Sequence, residues 1–247
     1  MNVIAVSQAR TGSTRLPNKI LKKINGKTLL SIHIERILRS KQINKLIIAT
    51  TTHKSDDEVI TLCNELNVQS FRGDETNVLD RFYQAVKNEN ADYVVRLTSD
   101  CPLIDAQLID ELIQHTLKNK LDYCANILLE TFPDGEDIEV MSFKALETAW
   151  KEADKNYQKE HVTPYIRENS TFKGGTRFRS DNIASEINYG NVRLTVDEQK
   201  DLEVMQIIIG NLGTDKGWKE YADYYLNNDS VRQLNSNIKR NEGFKKN

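Results

Sequence analysis

Cysteine is scarce in this 247-residue chain. Cys63, Cys101 and Cys124 are odd in number, far apart and lack metal-ligand spacing, which argues against a disulfide framework or a thiolate metal site. They suit core thiols in a reducing compartment, and with no secretory pattern at the front a cytoplasmic location is expected. No apolar run approaches membrane-spanning length, so no membrane partner is expected. The formal net charge is only −2, so no overall field recruits nucleic acid or anionic lipid. Glycine is also sparse where nucleotide loops use it most. Gly12 is the only glycine between Met1 and Gly26, and no Gly-Lys-Ser/Thr follows, which argues against a Walker A ATPase and a dinucleotide-dependent dehydrogenase. Acidic residues are absent before Glu35, whereas Arg10, Arg15, Lys19, Lys22, Lys23 and Lys27 all precede it.

That local imbalance is the strongest signal present. A short apolar strand, Val3-Ile4-Ala5-Val6, runs into Ser7-Gln8-Ala9-Arg10-Thr11-Gly12-Ser13-Thr14-Arg15-Leu16-Pro17-Asn18-Lys19. Backbone N–H groups, hydroxyls and cations gathered after a strand suit a polyphosphate, because charge-assisted bonds to phosphate are strong and arginine can grip it bidentately. A nucleoside triphosphate is the expected ligand. A transit peptide or a solvated basic loop are the rival readings. The buried-type strand counts against the first, and the position at a strand end, where open α/β sheets bind ligands, counts against the second.

Strands and helices alternate through the first half, predicting an α/β fold with a mostly parallel sheet flanked by helices. Helical spacing covers residues 27–39, an apolar strand run 45–50, and Ser55-Asp56-Asp57-Glu58 reads as a capping box opening the next helix. Further strands are predicted at 68–71, 93–97 and 122–125, with helices at 77–87 and 105–117 between them. After the turn signal Phe132-Pro133-Asp134-Gly135, residues 127–181 read as a small lobe inserted late in the sheet. Residues 191–197 are expected to return as a strand, with Asp197 as N-cap of a helix carrying Leu202, Val204, Met205 and Ile208. Residues 1–226 are thus read as one domain, and 227–247, polar and rich in Asn and Lys, as a frayed tail.

Asp100 lies just past a predicted strand, and Asp197 also sits at a strand end before a helix. Carboxylates placed so near a phosphate loop suit Mg²⁺, which prefers oxygen ligands and bridges phosphate oxygens. Turn-capping by Asp100 and plain N-capping by Asp197 are the structural alternatives.

The loop resembles that of the cytidylyltransferases that make CMP-acylneuraminate and CMP-Kdo, an Ala-Arg-x-x-Ser-x-Arg-x-Pro-x-Lys pattern matched by Ala9, Arg10, Ser13, Arg15, Pro17 and Lys19. Within that family the chain is most similar to the branch named for spore-coat polysaccharide biosynthesis, the SpsF-like proteins. Arg72-Gly73-Asp74 with Val78-Leu79-Asp80-Arg81-Phe82, the stretch from Arg96 to Asp105, Pro133-Asp134-Gly135 with Asp137-Ile138-Glu139-Val140, Glu160-His161-Val162-Thr163-Pro164-Tyr165 and Arg193-Leu194-Thr195-Val196-Asp197 extend the likeness to about residue 209.

The resemblance implies a Rossmann-like, GT-A-like nucleotidyltransferase fold and transfer of CMP from CTP to an acidic sugar of nonulosonic type, with release of pyrophosphate. It implies that Ala9, Arg10, Gly12, Ser13, Arg15 and Lys19 hold the triphosphate, with Arg15 and Lys19 nearest the leaving pyrophosphate. Asp100 and Asp197 would hold Mg²⁺, with Arg15, Lys19 and Asp100 as the catalytic set. Arg72 would contact the base; Arg96 and His161 would face the substrate, and Asp137 and Glu139 would orient a sugar hydroxyl. A homodimer through residues 127–181 is the assembly the resemblance implies. Ser99 stands where Kdo synthetases carry a glycine, which makes Kdo the less favoured acceptor. A nucleotide-sugar-dependent glycosyltransferase and a non-enzymatic nucleotide-binding regulator are the rival functions. The first would show an Asp-x-Asp motif, which no strand end after the nucleotide half provides, and the second has no need of two metal-site acids.

Overall fold

In the computed structural model, which describes residues 1–240, strand β1 (Val3–Gln8) is buried on both faces. Val3 and Ala5 point into one hydrophobic layer and Ile4 and Val6 into the other, because side chains alternate along a strand. A continuous apolar run is therefore what the centre of a parallel sheet requires. After the phosphate-type loop comes a small hairpin, β2 (Lys23–Ile24) and β3 (Lys27–Thr28). Its turn residues Asn25 and Gly26 have φ of 50° and 83°, the positive pair that a two-residue hairpin turn of matching twist needs.

Helix α1 (Leu29–Ile37) starts where the Thr28 hydroxyl accepts the Ser31 N–H at 3.1 Å. It is buried nearly all round: Leu30, Ile34 and Ile37 meet the sheet, while Leu29 and Ile32 meet a second helical layer. Then follow β4 (Lys45–Thr51), α2 (Asp57–Glu65), β5 (Gln69–Gly73), α3 (Val78–Val86), β6 (Tyr93–Thr98), α4 (Ala106–Asn119) and β7 (Tyr123–Ala125). The remainder is β8 (Glu139–Ser142), α5 (Phe143–Glu152), α6 (Asn156–His161), α7 (Pro164–Glu168), β9 (Ser180–Asn182), α8 (Gln199–Leu212), α9 (Trp218–Asn227) and α10 (Asp229–Asn235).

The sheet runs β5-β4-β1-β6-β8-β7-β9, and every pairing is parallel except the two made by β8. Helices α1, α2 and α4 cover one face and α3, α5 and α7 the other. This is the mostly parallel α/β sheet flanked by helices that the sequence predicts. All three cysteines are buried and free. Among the described residues no helix is long and apolar enough to cross a membrane.

Four local expectations are corrected. Residues 127–181 are not set apart as a lobe: β8 lies between β6 and β7, and Glu139 pairs in register with both Arg96 and Ala125. Residues 191–197 make only an isolated bridge, Asp134 to Arg193, since the chain there threads between loops. Glu198, not Asp197, is the N-cap of α8. The Ser55 capping box does not form, because α2 starts at Asp57 and the Asp56 carboxylate is turned away to the loop after β1. The tail is corrected as well: α10 packs on α8 with Val231 buried, and ordered contacts continue to Arg240. The rest of the expected tail, 241–247, lies outside the described residues.

Two predictions arise here. Gly135 has φ of +117°, and a Cβ there would lie 2.7 Å from the Leu194 carbonyl carbon. Gly135→Ala is expected to cost about 2–4 kcal/mol, read as a lower melting temperature. His33 is fully buried, held between Ser7 Oγ at 2.8 Å and the Cys101 carbonyl at 2.7 Å. Burial pushes its pKa down to about 4. Its neutral form is therefore favoured in the fold, so its stability contribution is complete above the unfolded pKa and is lost as pH falls from 6.5 toward 4. About 3 kcal/mol should disappear over that window, and His33→Gln should flatten the slope of chemical denaturation against pH.

Candidate active site

The carboxyl ends of β1 and β6 open into a cleft of about 1180 Å³, large enough for a nucleotide and a second substrate side by side. One wall is the loop after β1, which supplies Ala9, Arg10, Gly12, Ser13, Arg15 and Lys19 to the lining. Its shape is pinned from within: the Thr11 N–H and hydroxyl both donate to Asp56 Oδ1 at 2.7 Å, and the Asn18 N–H donates to the Thr11 carbonyl at 3.1 Å. Asp56 is 1% exposed. Burial disfavours its charge, but bonds from Thr51 and Thr11 outweigh that and hold its pKa below the usual carboxylate value. Asn18, at φ of 55°, then reverses the chain so that Lys19 starts a 3₁₀ turn.

Lys19 Nζ lies 2.8 Å from Asp197 Oδ1 and 3.3 Å from Asp100 Oδ2. Arg15 reaches Asp197 at 3.1 Å. Burial works against the Lys19 ammonium, but the two carboxylates outweigh it and raise its pKa. Burial likewise opposes the Asp100 charge, yet Lys19 holds that carboxyl far below the usual range. Two carboxylates from distant parts of the chain thus converge on one cation.

The fit to Mg²⁺ follows from this donor set. Mg²⁺ is ordinarily held by one or two carboxylates, with phosphate oxygens and water completing an octahedron. Asp100 and Asp197 already share one ammonium, so they can share a divalent ion beside the triphosphate. Among the described residues no three His, Cys, Asp or Glu converge as a closed metal cage.

The facing wall comes from β8, α6 and α7. Arg96 donates to Glu139 at 2.5 Å, and Tyr123 donates to the other Glu139 oxygen. Arg96 Nε is buried with no partner among the described residues. Arg167, at the end of α7, lines the same wall with His161 and Lys159. Burial opposes its charge, and Glu139 leads the groups that raise its pKa nonetheless. Burial lowers the pKa of His161. Two guanidinium groups, Arg96 and Arg167, thus stand beside the Glu139 carboxylate, and Asp137, Lys159 and Glu160 also line the cleft.

Beneath it lies a buried ion network. Arg193 grips Asp201 through Nε and Nη2, both at 2.9 Å, and reaches Asp134 at 2.6 Å and Asp197 at 3.3 Å. Burial and the neighbouring Asp137 push the Asp134 carboxyl up to about 7, against the pull of Arg240 and Arg193.

Of the predicted site residues, Ala9, Arg10, Gly12, Ser13, Arg15, Lys19, Arg96, Asp100, Asp137, Glu139, His161 and Asp197 all line the cleft. Arg72 does not. It sits on edge strand β5 and folds back, donating to the Thr51 and His53 carbonyls at 2.8 and 2.7 Å and to Asp57 at 2.7 Å. The lining there is Glu75, Thr76, Asn77 and Arg81 instead. Arg81 is 2% exposed, and burial pushes its pKa down to about 10. Arg10 is drawn to Glu75 at 2.6 Å, which also pairs with His53 at 2.9 Å. In the sequence Asp56 reads only as part of a helix cap, and nothing local marks Arg81, Arg167 or Arg193 as facing a cleft.

The model of the family described as Cytidylyltransferase matches residues 4–228. The chain belongs to the cytidylyltransferase family. It is accordingly a nucleotidyltransferase. An uncharacterised protein of Methanocaldococcus jannaschii is 40% identical over 246 residues, covering 97% of each chain. The spore coat polysaccharide biosynthesis protein SpsF of Bacillus subtilis is 30% identical over 228 residues, covering 86% of this chain and 88% of SpsF. Among solved structures, a cytidylyltransferase from Leptospira borgpetersenii superposes with a TM-score of 0.88 at 32% identity, covering 94% of this chain and 97% of that one. The family model runs from β1 to α9, and the Methanocaldococcus jannaschii relative matches 97% of the chain. They place this cytidylyltransferase in a family whose relatives include one named for polysaccharide synthesis.

Proposed function

We propose that this cytidylyltransferase transfers CMP from CTP to a hydroxyl of an acidic sugar and releases pyrophosphate. The observation that carries the reading is the pair of cationic clusters that line one cleft. Arg15 and Lys19 project from the loop after β1, while Arg96 and Arg167 on the facing wall offer guanidinium groups suited to a carboxylate. The hydroxyl oxygen forms a bond to the α-phosphorus as the bond to the β-phosphate oxygen breaks, and the hydroxyl proton passes to solvent. The protein's part is alignment and charge neutralisation, which carry most of the barrier lowering in such displacements. Arg15 and Lys19 offset charge on the departing pyrophosphate. Asp100 and Asp197 would hold Mg²⁺, which supplies polarisation of the α-phosphate when bound.

A pyrophosphate-release assay tests the reading, with Mg²⁺, each of the four nucleoside triphosphates, and a panel of nonulosonic acids, Kdo and simple phosphonates. Release with CTP and one carboxylated sugar is the expected result. Release only with a neutral sugar, or with another nucleotide, would overturn it.

A further inference from the structure

The family match ends at residue 228, yet the chain continues into α10 and reaches Arg240, and both return to the cleft. We propose that this C-terminal arm is a positioning element: it holds the cleft's buried acids in place through Asn235 and Arg240.

Two tethers carry the inference. The first begins at Asn235, which is 1% exposed and anchored by the Tyr225 hydroxyl at 2.8 Å. Its Nδ2 donates to Asp201 Oδ1 at 3.0 Å and to the Arg193 carbonyl at 3.3 Å. Asp201 accepts Arg193 and also the Asp197 and Glu198 N–H groups, each at 3.0 Å. Arg193 in turn touches Asp134 and Asp197. One amide on the arm therefore supports the residues that orient Asp197.

Arg240 forms the second tether. It donates to Asp137 at 2.5 Å and to the Phe132 carbonyl at 3.1 Å, with its Nε 3.9 Å from Asp134. Asp134 and Asp137 lie on either side of Gly135, in a turn with no regular secondary structure of its own. That turn is held by bonds from outside: the Asp134 N–H donates to Val192, the Ile138 N–H to Asn126, and the Leu194 N–H back to Asp134.

The Arg240 tether ends on Asp137, which lines the cleft, and the Asn235 tether on Asp201, which in turn bonds Arg193 and the Asp197 N–H. Buried carboxylates move or protonate when a cationic partner is withdrawn, and a displacement of tenths of an ångström in such a site is costly to a positioned reaction. A segment beyond the family-model match thereby shapes the acceptor side. The kinetic half of this inference rests on the acceptor reading above; the structural half does not.

Amide hydrogen exchange on the full chain, beside Arg240→Ala, Arg240→Lys and Asn235→Ala, provides the test. For Arg240→Ala, exchange at Asp134, Ile138 and Leu194 should quicken by about tenfold or more, with β1, β4 and β5 unchanged. CTP affinity, titrated with MgCl₂ present, should stay within about twofold, while the acceptor KM rises by about tenfold. Arg240→Lys should restore part of both. Asn235→Ala should quicken exchange at Asp197 and Glu198 instead. Unchanged exchange at those amides, or an equal rise across the whole sheet, would overturn the proposal. If no acid in the panel serves as acceptor, exchange still decides the arm, and only the acceptor reading fails.

Discussion

Asp100→Asn is expected to lower turnover by about 10³-fold, roughly 4 kcal/mol of barrier, with the fold intact. Asparagine keeps the shape of the side chain but loses the charge that Lys19 now neutralises at 3.3 Å. A neutral amide is a weak ligand for a hard divalent ion, so the α-phosphate would lose much of its polarisation. Steady-state pyrophosphate release and thermal melting of the same preparation measure the two halves. Near-normal turnover in a folded Asp100→Asn protein would remove the metal role from this carboxylate.

Lys19→Ala should act in two opposite directions. Turnover should fall by about 10²-fold or more, because the cation beside the departing pyrophosphate is gone. Metal binding to the nucleotide-free protein should tighten, because the ammonium now occupies the space between Asp100 and Asp197 and competes for both. Mn²⁺ titration followed by electron paramagnetic resonance reads the second effect independently of any reaction. Weaker Mn²⁺ binding in Lys19→Ala would show that the two acids do not form a shared cation site.

The cationic clusters of the cleft also bear on the rivals. A glycosyltransferase would consume a nucleotide sugar, and a regulator would bind CTP without releasing pyrophosphate. Membership of the cytidylyltransferase family over residues 4–228 favours neither. A half-buried pair of acids converging on Lys19 serves a reaction better than simple retention of a nucleotide.

The parts of this protein legible in the sequence are those written in contiguous residues. The strand from Val3 and the loop to Lys19 form one unbroken run, and the cations, hydroxyls and Gly12 within it point to phosphate without any partner being known. The alternation of strands and helices and the burial of β1 on both faces follow from local periodicity. Asp100 was legible for the same reason, as an acid at a strand end.

Tertiary structure alone decided which charges meet. Arg193 pairs with Asp134 across 59 residues and Arg240 with Asp137 across 103, and no local pattern encodes such a distance. Arg72 and Arg81 show the point most directly. Both are arginines beside the same loop, yet edge-strand geometry spends one on backbone carbonyls outside the cleft and buries the other in its lining. Asp56 read as part of a helix cap and instead holds the phosphate-type loop. A chain's short-range chemistry sets its elements, because caps and periodicity act within a few residues. Which side chains share a cleft is set by how the sheet orders its strands, and that order is a property of the whole fold.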